Sequence, residues 1–357
     1  MSPADIARPE IRALAPYEAA IQVTDTIRLN ANEAPWNPAG DRYRRPLNRY
    51  PEIRPRGLAE RLAGHYGCEP RQLLVTRGSS EAIDLMVRVF CRAGVDNIVT
   101  VAPTFSMYAH YAAVQGAAAR EIPADPGRDF AVDADTILAA CDENTRLVFL
   151  CSPNNPTGTL LAPGLLEAVL AARAGRSIVV LDEAYIEFAG QPSATGLLAQ
   201  YDNLAVLRTL SKALACAGAR CGAVIADPDV IRMLDAVQAP YAFATPVVEC
   251  VEDALDAVAT SGAERRIREI VAERERLAAA LATSPVVRRT WPSAANFILA
   301  EIDAPGRFVE RCRAAGILVR RFGGTLAGCV RITVGSASEN ASLLQVVRSH
   351  EESADGD

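Results

Sequence analysis

Between residues 72 and 226 short apolar runs alternate with helical patterns, and this alternation limits the possible folds more than any other feature. The runs at 72–76, 97–101, 147–151, 178–181, 204–207 and 222–226 are rich in Val, Ile and Leu and apolar on both faces. A strand with two apolar faces must be covered on both sides, and the helical segments between the runs supply that cover. The pattern predicts an α/β fold with a mostly parallel central sheet clothed in helices. Such sheets bind their ligands outside the carboxyl ends of the strands. After about residue 245 the texture changes. Residues 262–283 read as one amphipathic helix, with Ile267, Ile270, Val271, Leu277 and Leu281 on one face. Strand-like stretches at 296–300 and 330–334 follow, with a helix between them. The expected division is a large domain over 35–245, and an N-terminal arm (1–34) with a small α+β domain (246–357).

Composition narrows the function. The net charge is −6, which predicts a soluble protein and leaves no basic footprint for nucleic acid. Nine cysteines, with no C-x-x-C spacing, read as buried reduced thiols, with Cys68, Cys91, Cys151 and Cys221 in or beside apolar runs, and not as disulfides or a zinc site. The three histidines, His65, His110 and His350, are scattered, which disfavours a histidine metal site or a Ser-His-Asp triad. The uncharged stretch 98–119 is broken by Pro103, Ser106, His110 and Gly116, so it predicts a strand, a turn and a helix, not a membrane span. The start, MSPADIARPEIRAL, lacks the basic-then-apolar order of a signal peptide, and a cytoplasmic location is expected. The polar end, HEESADGD, is expected to fray.

The strand ends carry the chemistry. The run 147–151 leads into SPNNPTG, 178–181 into DEAY, and 204–207 into RTLSK, with Arg220 eight residues after Lys212. Earlier, 72–76 leads into RGSSE, which opens an apolar helix. Taken singly each is ordinary. An aspartate after a strand is usually a cap, a lysine usually a solvated surface group, Gly-Ser-Ser a helix start and NNPTG a plain turn. Together they bring a carboxylate, an amine, hydroxyls, an arginine and a helix N-terminus to one rim. Pyridoxal phosphate needs these parts: a lysine amine for its aldehyde, a carboxylate for its pyridine nitrogen, donors for its ring hydroxyl, and backbone N–H groups, hydroxyls and an arginine for its phosphate.

The chain resembles the fold-type I pyridoxal-phosphate-dependent aminotransferases, and within them the histidinol-phosphate aminotransferases. The resemblance spans nearly the whole length: LAPY at 14–17, LNANE at 29–33, NRYPE at 48–52, RGSSEAI at 77–83, APTFSMY at 102–108, SPNNPTG at 152–158, DEAYIEF at 182–188, TLSKALACAGARCG at 209–222, PSAANFILA at 292–300, GILVR at 316–320 and RITVG at 331–335. It implies that Lys212 holds the cofactor covalently and moves the Cα proton, and that Asp182 pairs with the pyridine nitrogen. Asn155 and Tyr185 would bond the ring hydroxyl, and Phe105 would lie against the ring. Ser79, Ser80, Thr209, Ser211 and Arg220 would hold the phosphate, with Tyr50 reaching it from a second subunit of a homodimer. Tyr17, Asn155, Arg320 and Arg331 would bind substrate. The implied reaction exchanges an amino group between L-glutamate and imidazole-acetol phosphate, giving 2-oxoglutarate and L-histidinol phosphate in histidine biosynthesis. No metal, nucleic-acid or membrane partner is implied.

Three positions depart from the family: Phe105 replaces a usual Tyr, Ser80 a frequent Asp, and the segment Pro240, Tyr241, Ala242, Phe243, Ala244 is more apolar than in relatives. Phe105 keeps the aromatic face and loses one hydroxyl. The apolar segment is what an aromatic amino-acid aminotransferase on this scaffold would favour. A threonine-phosphate decarboxylase is a second alternative. A transcription regulator would carry a DNA-binding domain ahead of this fold, and LNANE at 29 is expected to leave no room for one.

Overall fold

The computed structural model describes residues 2–15, 17, 26–258 and 262–354. Pro16 of the LAPY motif and residues 355–357 of the polar tail lie outside the described residues.

Two sheets organise the chain. The first holds seven strands: β1 (Leu73–Thr76), β2 (Asn97–Ala102), β3 (Ala118–Pro123), β4 (Thr145–Cys151), β5 (Ile178–Asp182), β6 (Leu204–Thr209) and β7 (Gly222–Ala226), in the order β1-β7-β6-β5-β4-β2-β3. From β3 to β6 all neighbours are parallel, and β7 runs antiparallel to both β6 and β1. The mostly parallel sheet expected from the apolar runs is present. Alternate residues of each strand feed two cores on opposite faces. Leu147, Phe149, Ile178, Val180 and Leu207 enter one, and Val148, Leu150, Val179, Leu181 and Val206 enter the other. Ala4, Ile6 and Ala7, from the start of the chain, pack into the first of these cores and not against the smaller sheet.

Sequence reading passed over β3. It lies at the sheet edge, and four of its six residues in AAREIP are exposed before buried Ile122. An edge strand with a wet face has no reason to be apolar throughout.

The second sheet is antiparallel and has four strands, β8 (Val287–Thr290), β9 (Phe297–Ile302), β10 (Arg320–Arg321) and β11 (Cys329–Thr333), in the order β10-β11-β9-β8. Only β9 and β11 carry enough apolar residues to be legible in advance. The long helix Ala263–Ala282 splits its apolar face between two tasks. Leu277 and Leu281 join Ile298, Val330 and Phe308 in the core of this sheet. Ile267 and Val271 instead cover a junction formed by Ala184, Tyr185, Phe188, Ala295 and Phe297, and Ile270 packs against both cores. That junction fastens the loop after β5 to the start of β9, so the second sheet sits beside the strand ends of the first. A second fastening is tighter. Gly158, at φ +78°, lies so close to Ser293 that a Cβ would stand 2.3 Å from its Oγ, and Ala294 N–H donates to Gly158 O at 2.8 Å.

All nine cysteines are free; Cys68 is half-buried, not buried as its apolar surroundings in sequence suggested. Among the described residues no helix is long and apolar enough to cross a membrane.

Candidate active site

A cavity of about 540 Å³ opens where β4, β5 and β6 end and the β10–β11 edge approaches. Twelve of the fourteen residues singled out from the sequence line it: Ser79, Ser80, Phe105, Asn155, Asp182, Tyr185, Thr209, Ser211, Lys212, Arg220, Arg320 and Arg331. Thr104, Ser106, Cys151 and Phe322 line it too.

Asp182 terminates β5 and is buried. Its Oδ2 accepts the Tyr108 hydroxyl at 2.8 Å and its Oδ1 accepts the Ala184 N–H at 3.1 Å. Burial pushes this carboxyl above the usual range, against the pull of the two donors and of the Lys212 charge. Tyr108 was not singled out from the sequence as a site residue. Its motif, APTFSMY, was legible, but nothing in it shows which strand end the phenol meets.

At one end of the cavity the helix Ser79–Phe90 begins with no side-chain cap. Its first-turn N–H groups are therefore left to face an anion. Gly78, at φ +76°, precedes it, and a Cβ there would stand 2.9 Å from Arg220 Nη2. The Thr209 hydroxyl lies 3.0 Å from that of Ser211, and Arg220 Nη1 lies 3.4 Å from the same Ser211 oxygen. Gly222 permits the close crossing beneath: a Cβ there would meet Arg208 O at 2.6 Å and Gly78 Cα at 3.0 Å. Backbone N–H groups, three serines (Ser79, Ser80 and Ser211), a threonine and a guanidinium thus share one concave corner.

On the opposite wall Asn155 holds two partners. Its Nδ2 is 3.4 Å from the Tyr185 hydroxyl, and its Oδ1 accepts from Arg331 Nη1. Arg331 lies over the Phe297 ring, Cζ to centroid 5.2 Å, and near Phe322 at 5.8 Å. Directly across the β10–β11 ladder stands Arg320. Like charges at opposed positions of an antiparallel pair repel. Among the described residues neither guanidinium is paired with a carboxylate. Burial and the Arg320 charge hold the Arg331 pKa below its ordinary value.

Lys212 opens onto this cavity, with its Nζ 5.5 Å from the centre of the Tyr185 ring. Desolvation within the walled cleft lowers its pKa, and the Arg331 and Arg220 charges lower it further while Asp182 opposes them. A lowered pKa frees the amine as a nucleophile and base.

Tyr17 and Tyr50 do not reach this cavity in their own chain. Both are exposed, at 58% and 51%. The Tyr50 ring packs on Tyr241, centroids 4.9 Å apart, and Tyr17 lies near the same Tyr241. Glu33, also passed over in the sequence, organises this outpost: its carboxylate takes Arg28, Arg49 and the Tyr50 N–H.

The donors fit a phosphorylated pyridine aldehyde. The uncapped helix start and Arg220 suit the phosphate, the buried Asp182 suits a protonated ring nitrogen, and the Lys212 amine suits the aldehyde. Fold and site together define a pyridoxal-phosphate-dependent aminotransferase of fold-type I. The chain belongs to the aminotransferase class I and II family, whose pattern matches residues 22–347. It is 45% identical over 358 residues to the histidinol-phosphate aminotransferase of Xanthomonas axonopodis pv. citri (strain 306), spanning 98% of each chain. To the histidinol-phosphate aminotransferase of Xylella fastidiosa (strain 9a5c) it is 44% identical over 351 residues, spanning 96% of each. A solved histidinol-phosphate aminotransferase from Sinorhizobium meliloti, in complex with pyridoxal-5'-phosphate, is similar at a TM-score of 0.74 and 26% identity, over 85% of this chain and 84% of that one.

Proposed function

We propose that the protein transfers an amino group between L-glutamate and imidazole-acetol phosphate, forming L-histidinol phosphate and 2-oxoglutarate in histidine biosynthesis. The observation that carries this reading is the pair of cross-strand arginines, Arg320 and Arg331, at the cavity wall, with no carboxylate among the described residues to neutralise them. Histidinol phosphate offers a phosphate where glutamate offers an α-carboxylate. A guanidinium grips either through two parallel hydrogen bonds. The relatives that carry the histidinol-phosphate name support the same choice.

When bound, pyridoxal phosphate supplies an aldehyde that carries the amino group and a ring that takes up the electrons of the broken Cα–H bond. Lys212 would hold the aldehyde covalently, and its amine, when free, would carry the Cα proton. Asp182 accepts the hydrogen bond of the ring nitrogen. Asn155 and Tyr185 would bond the ring hydroxyl, and Phe105 would lie against the ring. Ser79, Ser80, Thr209, Ser211 and Arg220 hold the phosphate. Asn155 would also keep Arg331 turned to the substrate anion, where Arg320 would add donors for the dianionic phosphate; Tyr17, which lies outside the cavity of its own chain, would add its hydroxyl from a neighbouring subunit.

The same proposal includes a homodimer. Ile27 and Leu29 are exposed at 91% and 90% and Trp36 at 73%, apolar surface in and beside the arm that a second subunit would cover. A second subunit covering it brings Tyr50 to the neighbouring phosphate site. We divide the chain at the expected borders, 35–245 and 246–357, with 1–34 as the arm. A cytoplasmic location goes with nine free thiols and phosphorylated metabolites as substrates.

The test is a side-by-side assay: amino transfer from glutamate to imidazole-acetol phosphate and to phenylpyruvate, and carbon dioxide release from threonine phosphate. Imidazole-acetol phosphate is expected to give the highest kcat/KM. Equal or better turnover of phenylpyruvate, or carbon dioxide without amino transfer, overturns the reading.

A further inference from the structure

We infer that Tyr108 is the positioning residue that keeps the Asp182 carboxylate ionised and aimed at the cofactor's ring nitrogen. This rests on the reading that Asp182 pairs with that nitrogen.

Tyr108 lies in the first turn of the helix Met107–Gln115 and is fully buried. Two rings fix its plane. It stacks on Phe149, centroids 4.8 Å apart and 12° from parallel, and meets the edge of Phe105 at 5.8 Å and 85°. With the ring held in this plane, the hydroxyl donates to Asp182 Oδ2 at 2.8 Å. The neighbouring Cys151 thiol donates to Pro153 O at 3.4 Å, so it leaves the carboxylate to the phenol. The other groups facing Asp182 are the Ala184 N–H on Oδ1 and the Lys212 charge.

The physical need is plain. A carboxylate taken out of water tends to recapture a proton, and a protonated Asp182 cannot accept the hydrogen bond of a protonated pyridine. A neutral donor on Oδ2 stabilises the charged form without adding a second positive charge that would repel the ring's own proton. Tyr108 also fixes the carboxylate's rotation, since its two oxygens are tied from two different elements. Without the hydroxyl, Asp182 becomes the stronger base of the pair. The shared proton then moves from the ring nitrogen toward the carboxylate.

The experiment loads the holoenzyme with cofactor labelled with ¹⁵N in the ring and records the nitrogen resonance against pH, beside steady-state kinetics. In Tyr108→Phe, which removes only the hydroxyl, the resonance is expected to move toward the unprotonated position. Loss of one hydrogen bond to a charged group corresponds to a kcat lower by about tenfold, with KM within about threefold of the parent. Replacement of Tyr108 by 3-fluorotyrosine keeps ring and hydroxyl but makes a stronger donor. It is expected to lower the pH at which the Asp182–nitrogen pair takes up a second proton. A parent-like resonance and pH profile in Tyr108→Phe overturns the inference. If that variant does not fold, an unchanged profile in the fluorotyrosine protein overturns it. Asp182→Asn separates the two readings. If it moves the resonance while the Tyr108 replacements do not, only the role of Tyr108 fails. If Asp182→Asn leaves the resonance unmoved, Asp182 does not face the nitrogen at all.

Discussion

Arg331 donates to the side-chain oxygen of Asn155, and this hydrogen bond joins the second sheet to the loop after β4. The two residues stand 176 positions apart in the chain. One amide thereby orients the cavity-facing guanidinium and, through its Nδ2, approaches Tyr185.

Arg331→Ala is expected to damage both half-reactions, because glutamate and the phosphorylated substrate share this grip. Removing one partner of a buried charged pair costs about 2–5 kcal/mol, or roughly 30-fold to several thousand-fold in kcat/KM. Arg331→Lys is expected to recover only part of it, since an ammonium lacks the planar fork. Tyr17→Phe is expected to lower only the phosphorylated half-reaction, by about 1 kcal/mol. Following conversion between the aldehyde and amine forms of the cofactor measures each half separately. A change under about threefold in Arg331→Ala on histidinol phosphate would show that the phosphate is held elsewhere.

Lys212→Ala is expected to abolish turnover and the visible band of the lysine-linked cofactor while the fold persists. The pH dependence has a defined sign. An ordinary lysine loses its proton near 10.5, and burial with the Arg331 and Arg220 charges lowers that in Lys212. Covalent attachment is therefore expected at a lower pH than for an exposed lysine. Taking away the Arg331 charge weakens the depression, so the attachment limb in Arg331→Ala is expected to move to higher pH. A limb that stays put in a spectral titration argues against a shared electrostatic field.

Gly78→Ala strikes the phosphate corner. At φ +76° and ψ 174° the position is one that glycine alone adopts freely, and forcing another residue there costs about 1–3 kcal/mol. The new Cβ would also press on Arg220. Cofactor affinity is expected to fall by at least about tenfold, which corresponds to roughly 1.4 kcal/mol. Gly64→Ala is the control, because a Cβ there meets nothing within 4 Å. Equal cofactor affinity in the two variants, measured by fluorescence titration, would remove Arg220 from the cradle.

Tyr50→Phe and Lys212→Ala subunits, mixed under conditions that exchange subunits, are expected to regain activity. A heterodimer of the two has one site with both an intact lysine and an intact Tyr50. No recovery, with heterodimers demonstrated by native mass spectrometry, would mean that Tyr50 does not act across an interface.

Much of the strand-end chemistry could be read in advance because it is local. A carboxylate at the end of β5, an amine beyond β6 and a Gly-Ser helix start after β1 each follow an apolar run, and a parallel sheet brings such ends to one rim. The edge strands β3 and β10 could not be read, because exposed strands carry no apolar signature. The same holds for the divided face of the helix Ala263–Ala282, where Leu277 and Ile267 serve different cores although they share a stripe in the sequence.

The chain read alone settles the layered α/β plan and most of the residues that line the cavity, since periodicity and residue type act over a few neighbouring positions. Folding settles what depends on long-range closure. It sets the Tyr108 hydroxyl on Asp182, turns Arg331 onto Asn155, faces Arg320 against Arg331, and keeps Tyr17 and Tyr50 away from the cavity of their own chain. A hydrogen bond at 2.8 Å between residues 74 positions apart depends on how helices and loops pack on the sheet, and no local pattern encodes that.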